Sequence, residues 1–240
     1  WQLPEPGAPV PGRVTAVLAR GNEILAGTDN GLTSIGPDGR RNWTFDCGRV
    51  DALTVDPVTG RLAAAALGGF RCEPGYGQWD LRTLELLELD LSGPSPVNTG
   101  RSVELPQDWF YTSIRGIAPS SLNGTVFLAV STYYASGLYE LWPNGTFVRI
   151  RTPSMSVGTL ALSPDGHTLY AACSGAGMLL LDIPTGAQEL ITPFSESPIL
   201  SPYVVSIDVD ESGGVLVGQS PGSGYFPGGV SLMERSANGT

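Results

Sequence analysis

The sequence contains no lysine: all thirteen basic residues are arginine, set against 23 acidic residues, for a formal net charge of -10 over 240 positions. No basic stripe can be assembled from so few scattered cations, which excludes the electrostatic footprint of a nucleic-acid-binding protein. Attraction to an anionic membrane surface is disfavoured for the same reason. No apolar run approaches the ~20 residues of a membrane-spanning helix. There is one histidine, His167, inside a short turn sequence, so a Ser-His-Asp nucleophile system has no sensible base. Charged residues make up only 15% against 41% apolar, a balance that argues against charge-driven disorder. The chain opens at Trp1 with neither Met nor a signal-like segment, as expected of a mature protein or a piece of a longer one.

What is abundant is glycine (32) and proline (20), too many for a helical bundle. Many of them recur in register. An apolar strand pattern appears five times, as Val14–Val17, Val50–Leu53, Ile114–Ile117, Val157–Leu160 and Val204–Ile207. A second apolar strand follows each, with a small residue in one column: Gly27, Ala64, Ala129, Ala171 and Gly218. Glycine introduces a third strand each time, at Gly31, Gly77, Gly137, Gly177 and Gly229. Fourth strands read 42–45, 85–91, 147–151 and 188–191.

The turns repeat as well. Thr59-Gly60, Asn123-Gly124, Asp165-Gly166 and Ser212-Gly213 separate first from second strands, with residue types that tolerate positive φ in tight hairpins. Pro37–Gly39, Pro143–Gly145, Pro184–Gly186 and Asn238-Gly239 separate third from fourth. Four-stranded antiparallel units repeated about an axis make a β-propeller, and a sandwich would not repeat its turns in register. The expectation is an all-β single domain over 1–240, with blades at about 13–46, 49–92, 113–152, 156–192 and 203–240. If the ring closes on itself, residues 1–4 complete the last blade; the competing reading is a fragment whose neighbouring blades lie outside this sequence, as of a six-bladed parent.

Two hairpins carry a resemblance. Leu162-Ser-Pro-Asp-Gly-His-Thr-Leu-Tyr170 and Val55-Asp-Pro-Val-Thr-Gly-Arg-Leu62 are similar to blade hairpins of the superfamily containing gluconolactonase-like, strictosidine-synthase-like, NHL and YWTD propellers. The resemblance implies the blade and its ring. Its lactonase branch holds a divalent metal in the central channel with Glu, Asn and Asp. The corresponding inner-strand positions are Thr15, Asp51, Arg115, Gly158 and Val205, and only Asp51 is a ligand type.

Sorting residues by strand connection separates two ends of such a ring. Of the four Asn-x-Ser/Thr sequons, Asn123, Asn144 and Asn238 fall in the tight turns and Asn42 lies close to them. The three cysteines fall at the opposite end: Cys47 and Cys72 are placed for a disulfide, and Cys173 is left over as a buried thiol. The long loops share that second end and hold eleven of the chain's twenty aromatic residues, including Tyr76, Trp109, Phe110, Tyr111, Tyr133, Tyr134, Tyr225 and Phe226. Aromatic side chains gathered in loops mark an interaction surface when they are exposed together.

These features predict a non-enzymatic extracellular or cell-surface glycoprotein that binds a protein, a glycan or a neighbouring subunit through its aromatic loops, without nucleic acid or membrane insertion and without a cofactor. Two other readings compete. A secreted lactonase- or glycosidase-like hydrolase would use acids at the axial mouth, for which Asp51, Asp108 and Glu73 with Arg115 are the candidates. A module of a larger surface or filament assembly would present the same faces to its neighbours. Asp208-Val-Asp210-Glu-Ser-Gly faintly matches a calcium loop, with oxygen donors at its first, third and fifth positions but no closing Glu.

Overall fold

The computed structural model describes residues 12–46, 48–67, 83–90, 97–98, 100–105, 113–120, 122–132, 136–152, 156–193, 199–221 and 228–233. These residues form five antiparallel sheets and no helix. The first runs β1 (Val14–Arg20), β2 (Glu23–Thr28), β3 (Gly31–Ile35) and β4 (Arg41–Asp46), each strand paired with the next. The second holds β5 (Arg49–Val55), β6 (Leu62–Leu67) and β7 (Thr83–Asp90), with β8 (Val97–Asn98) and β9 (Arg101–Glu104) both pairing with β7. The third is β10 (Ser113–Pro119), β11 (Val126–Ser131), β12 (Gly137–Leu141) and β13 (Phe147–Ile150). The fourth is β14 (Val157–Leu162), β15 (Thr168–Cys173), β16 (Gly177–Asp182) and β17 (Gln188–Ile191). The fifth shows β18 (Val204–Val209), β19 (Val215–Gln219) and β20 (Gly229–Met233). This is the architecture of a β-propeller with five blades.

The register corrects two details of the sequence reading. The stretch 85–91, expected as the fourth strand of the second blade, belongs to its third strand, since Thr83–Asp90 pairs directly with Leu62–Leu67. The apolar alternation there suits either role, and the fifteen positions between Leu67 and Thr83 remove the spacing cue. The small-residue column also shifts by one in two blades. The inner-strand residues Val17, Leu53, Leu160 and Ile207 pair with Ala26, Ala64, Ala171 and Val217. Gly27 and Gly218 therefore lie on the other side of their strands. A Cβ at Gly27 would stand 2.8 Å from Val50 Cγ1, so glycine there permits the next inner strand to approach.

Contacts divide the chain into two compact units, one of residues 1–55 and 61–114, the other of 56–60 and 115–240. In the first, β1 and β2 pack on β5, and Leu25 and Leu32 share a core with Val50, Leu62, Ala64, Ala66, Leu87 and Leu89. In the second, Phe127, Ala129 and Leu138 pack on Leu160, Ala171, Leu179 and Leu181. The opposite face of that fourth sheet, with Tyr170, Ala172 and Met178, packs on Val204, Ile207, Val215 and Val217 of the fifth. Both faces of a middle sheet are thus covered, and every residue of β15 is buried. A strand covered twice loses the usual polar alternation, which explains the Leu-Tyr-Ala-Ala-Cys run.

Turn chemistry holds the hairpins. Asp210 Oδ1 accepts the N–H of Ser212 (2.8 Å) and of Gly214 (2.8 Å), and Asn123 Oδ1 accepts the Thr125 N–H (3.1 Å) and hydroxyl (2.6 Å). Gly177 begins β16 at φ +105°, where an added Cβ would stand 2.2 Å from the Ile191 carbonyl oxygen. Gly177→Ala is therefore expected to cost about 1–3 kcal/mol, read as a lower urea midpoint at unchanged m-value; a stability equal to that of the unmodified chain would refute the strain.

Candidate functional site

Inner strands carry the residues nearest a propeller's axis, and side chains on them tether one strand to the next. The Thr15 hydroxyl donates to the Val50 carbonyl oxygen. The Ile207 N–H donates to Thr159 Oγ1 at 2.9 Å. Asp51 does the same work with a carboxylate: its Oδ2 accepts the Ile114 N–H at 3.0 Å. Thr15 and Thr159 were not legible as tethers, because a threonine on a strand has no spacing that marks its partner.

Asp51 is the one sequence-nominated acid of the axial set that falls within the described residues. Its side chain is only 3% exposed, and Arg49 Nε stands 2.6 Å from Oδ1 without the alignment of a hydrogen bond. Burial pushes the carboxyl above its ordinary value of 3.8, opposed by the Ile114 N–H and by the Arg49 charge. Arg115 is exposed and belongs to the other compact unit. Asp108 and Glu73 lie outside the described residues. Asp51 is a desolvated acceptor for a backbone donor, with a half-exposed guanidinium to offset its charge.

No cluster of three His, Cys, Asp or Glu among the described residues is positioned to hold a metal. In the nominated calcium loop, Asp208 Oδ1 accepts its neighbour's N–H from Val209 at 3.0 Å, and Asp210 caps the hairpin turn. The hydroxyl of Ser212, then the N–H groups of Gly214 and Ser212, hold Asp210 below the usual carboxylate range. His167 is exposed in its turn, its N–H donating to Asp165 Oδ1 at 3.0 Å.

The two ends of the third blade differ in character. Asn123 and Asn144 occupy its β10–β11 and β12–β13 turns, and a Cβ at Gly124 would lie 3.5 Å from Pro143 Cγ, so these turns are neighbours. Asn42 is exposed on β4, its amide donating to Glu23 Oε1 at 2.9 Å and to Ser34 Oγ at 3.4 Å. Six-residue β11 separates the Asn123 turn from Ser131, roughly 20 Å at strand rise. At that far end a cavity of about 180 Å³ is lined by Val130, Ser131, Ser136, Ser156 and Val157. Ser136 closes the loop there, donating to the Thr132 carbonyl (2.7 Å) and accepting the Thr132 N–H (2.9 Å). The serines are a feature that sequence reasoning missed, since they sit in separate blades.

The nominated aromatic residues Tyr76, Trp109, Phe110, Tyr111, Tyr133, Tyr134, Tyr225 and Phe226 lie outside the described residues, as do Asn238, Cys47 and Cys72. Cys173 is a buried free thiol, pushed up to about 11 by that burial.

No family model matches the chain. No curated protein matches it either. Solved structures do. A Bacteroides caccae protein of unknown function is similar at 17% identity over 86% of this chain and 70% of its own, with a TM-score of 0.60. The extracellular domain of BT4673 from B. thetaiotaomicron is similar at 15% identity over 96% of this chain and 28% of its own, TM-score 0.60. The Cps50 (Swd1) β-propeller domain of Myceliophteria thermophila follows at 16% identity over 87% and 62%, TM-score 0.56. Likeness at this identity speaks for the propeller fold alone.

If burial governs Asp51, its carboxyl favours the folded state most below the ordinary pKa, and that contribution is lost as pH rises through the raised folded value. Asp51→Asn is therefore expected to gain stability relative to the unmodified chain between about pH 4 and pH 7, measured by urea denaturation at each pH. A difference that stays constant with pH would show the carboxyl to be solvated.

Proposed function

We propose that the chain is an extracellular glycoprotein propeller that binds a protein or glycan partner with the loop-bearing end of its blades. The carrying observation is the polarity of the third blade. Its exposed sequon turns cluster at one end, while the serine-lined cavity opens at the other, at Ser131 and Ser136, between which Tyr133 and Tyr134 fall in the sequence. Glycans at Asn123 and Asn144 would cover the turn end with hydrated mass, leaving the loop end for recognition. Trp109–Tyr111, Tyr76, Tyr225 and Phe226 would supply stacking area and a polar rim there, on a scaffold stiff enough to hold loops in place. A Cys47–Cys72 disulfide would brace that end. An extracellular setting suits the sequons, and one similar solved structure is itself an extracellular domain.

The hairpins resemble those of gluconolactonase-like and related propellers, whose lactonase branch would need metal ligands at the axis. Asp51, the position available for a ligand, is engaged with Ile114 and Arg49. Calcium at Asp208 and Asp210 would need donors beyond those two carboxylates, both of which already accept backbone N–H groups.

Two measurements test this reading. Secreted from a eukaryotic host, the chain should lose mass on peptide-N-glycosidase treatment, with Asn123 and Asn144 converted to Asp in peptide maps; unmodified asparagines at both would overturn the glycoprotein assignment. In hydroxyl-radical footprinting, Trp109, Tyr133 and Tyr225 should label far faster than Tyr170, which is 2% exposed. Equal protection of the loop aromatics and Tyr170 would remove the binding face.

A further inference from the structure

The β12–β13 hairpin of the third blade turns on Trp142-Pro143-Asn144-Gly145-Thr146. Its ladder runs from Leu138 opposite Ile150 to Leu141 opposite Phe147. One step further sets Trp142 opposite Thr146, and there the Trp142 N–H donates to the Thr146 carbonyl oxygen at 2.9 Å. The Gly145 N–H donates back to the Trp142 carbonyl oxygen at 2.9 Å, and Gly145 stands at φ +87°. These bonds define a three-residue hairpin loop, a turn followed by a left-handed glycine. Pro143 takes the position where its fixed φ suits the turn. Residues directly opposite each other carry Cβ atoms about 4.5–5.5 Å apart, so Trp142 and Thr146 project from one face of the hairpin.

On that face Trp142 is 46% exposed, with the fourth blade already packed against it. Leu138 and the partly buried Ile150, on the same side of the two strands, belong to the core shared with the fourth blade. Trp is a side chain that folded proteins bury on average, and this one stands open at the tip. Asn144 lies between the pair. Its Oδ1 accepts the Thr146 N–H at 3.0 Å, which folds the carboxamide back toward Trp142 and Thr146 and leaves Nδ2 as the atom to carry a sugar. Among the sequons on described residues, this one alone has an aromatic residue two positions before its asparagine. Arg40 stands there for Asn42 and Ser121 for Asn123.

We propose that the first N-acetylglucosamine of a glycan on Asn144 lies on the Trp142 indole. The proposal rests on the glycoprotein reading and adds to it the contact that the sugar makes. In the attachment, an Nδ2–C1 bond replaces an Nδ2–H bond; a lipid diphosphate oligosaccharide is the donor, and the lipid diphosphate and a proton leave. A pyranose ring carries its hydroxyls on the rim and C–H bonds on its faces, so one face is apolar enough to stack on an aromatic ring. The negative face of the indole receives the positive C–H edges. The covalent tether names the occupant, because it makes the contact intramolecular and keeps even a weak one populated.

The sample for the test is the chain secreted with high-mannose glycans, and peptide mapping first reads the occupancy of Asn144. Asn144→Asp removes the sugar and keeps an acceptor for the Thr146 N–H. Hydroxyl-radical labelling of Trp142 should rise several-fold in Asn144→Asp and stay low after endoglycosidase H, which leaves only the first sugar. The melting temperature should fall by about 2–4 °C in Asn144→Asp and by less than half of that when Trp142→Ala is already present. Trp142→Phe should restore the coupling. An unoccupied Asn144 overturns the proposal and, with Asn123 also unoccupied, the glycoprotein reading. An occupied Asn144 whose loss leaves Trp142 labelling unchanged overturns the proposal alone. So does Asn123→Asp exposing Trp142 where Asn144→Asp does not, which would seat the neighbouring glycan on the ring.

Discussion

A β-sheet with apolar side chains on both faces has to be covered on both, and this constraint organises the whole molecule. β15 shows it in the extreme, with six consecutive buried residues that include a tyrosine and a cysteine. The first blade packs on the second, the third on the fourth and the fourth on the fifth through faces of aliphatic and small side chains. At roughly 25 cal/mol per Å² of apolar surface removed from water, this face-to-face burial supplies the principal drive to fold. The hydrogen-bonded tethers of Thr15, Asp51 and Thr159 add direction: they fix how far one inner strand slides along the next.

The polar groups follow from that packing. Asp51 is held where water is scarce because an inner strand needs an acceptor for the Ile114 N–H, and Arg49 reaches in from a half-exposed position to offset the charge. A similar demand elsewhere is met by a neutral threonine, at lower desolvation cost. The axial carboxylate nominated in the sequence ties one inner strand to the next in this geometry.

Much of the fold was legible because the repeat is chemical as well as numerical. Turns such as Asp165-Gly166 and Asn144-Gly145 need positive φ, and Gly166 and Gly145 adopt it at +73° and +87°. The second blade was misread where Thr83–Asp90 follows a long insertion, since apolar alternation alone does not say which neighbour a strand joins. The small-residue column slipped by one at Gly27 and Gly218 because the hairpins differ in length: Leu53 and Leu160 pair eleven positions on, Val17 nine and Ile207 ten. The site was less legible still. Ser131 and Ser136 meet Ser156 only through the packing of the third blade on the fourth, which no spacing in the sequence marks.

The hairpin turns carry one more consequence. The β10–β11 and β18–β19 hairpins close through turns of a few residues capped by Asn123 and Asp210, so their strand pairs join segments that are near in sequence. Chains with such short-range pairing form their contacts early and quickly. Blades of this kind become individually marginal folding units whose order of assembly is open, and the slow event is their stacking. During synthesis, an emerging blade would carry an uncovered apolar face until the next one arrives, which makes translation rate and chaperone access the natural points of control over yield.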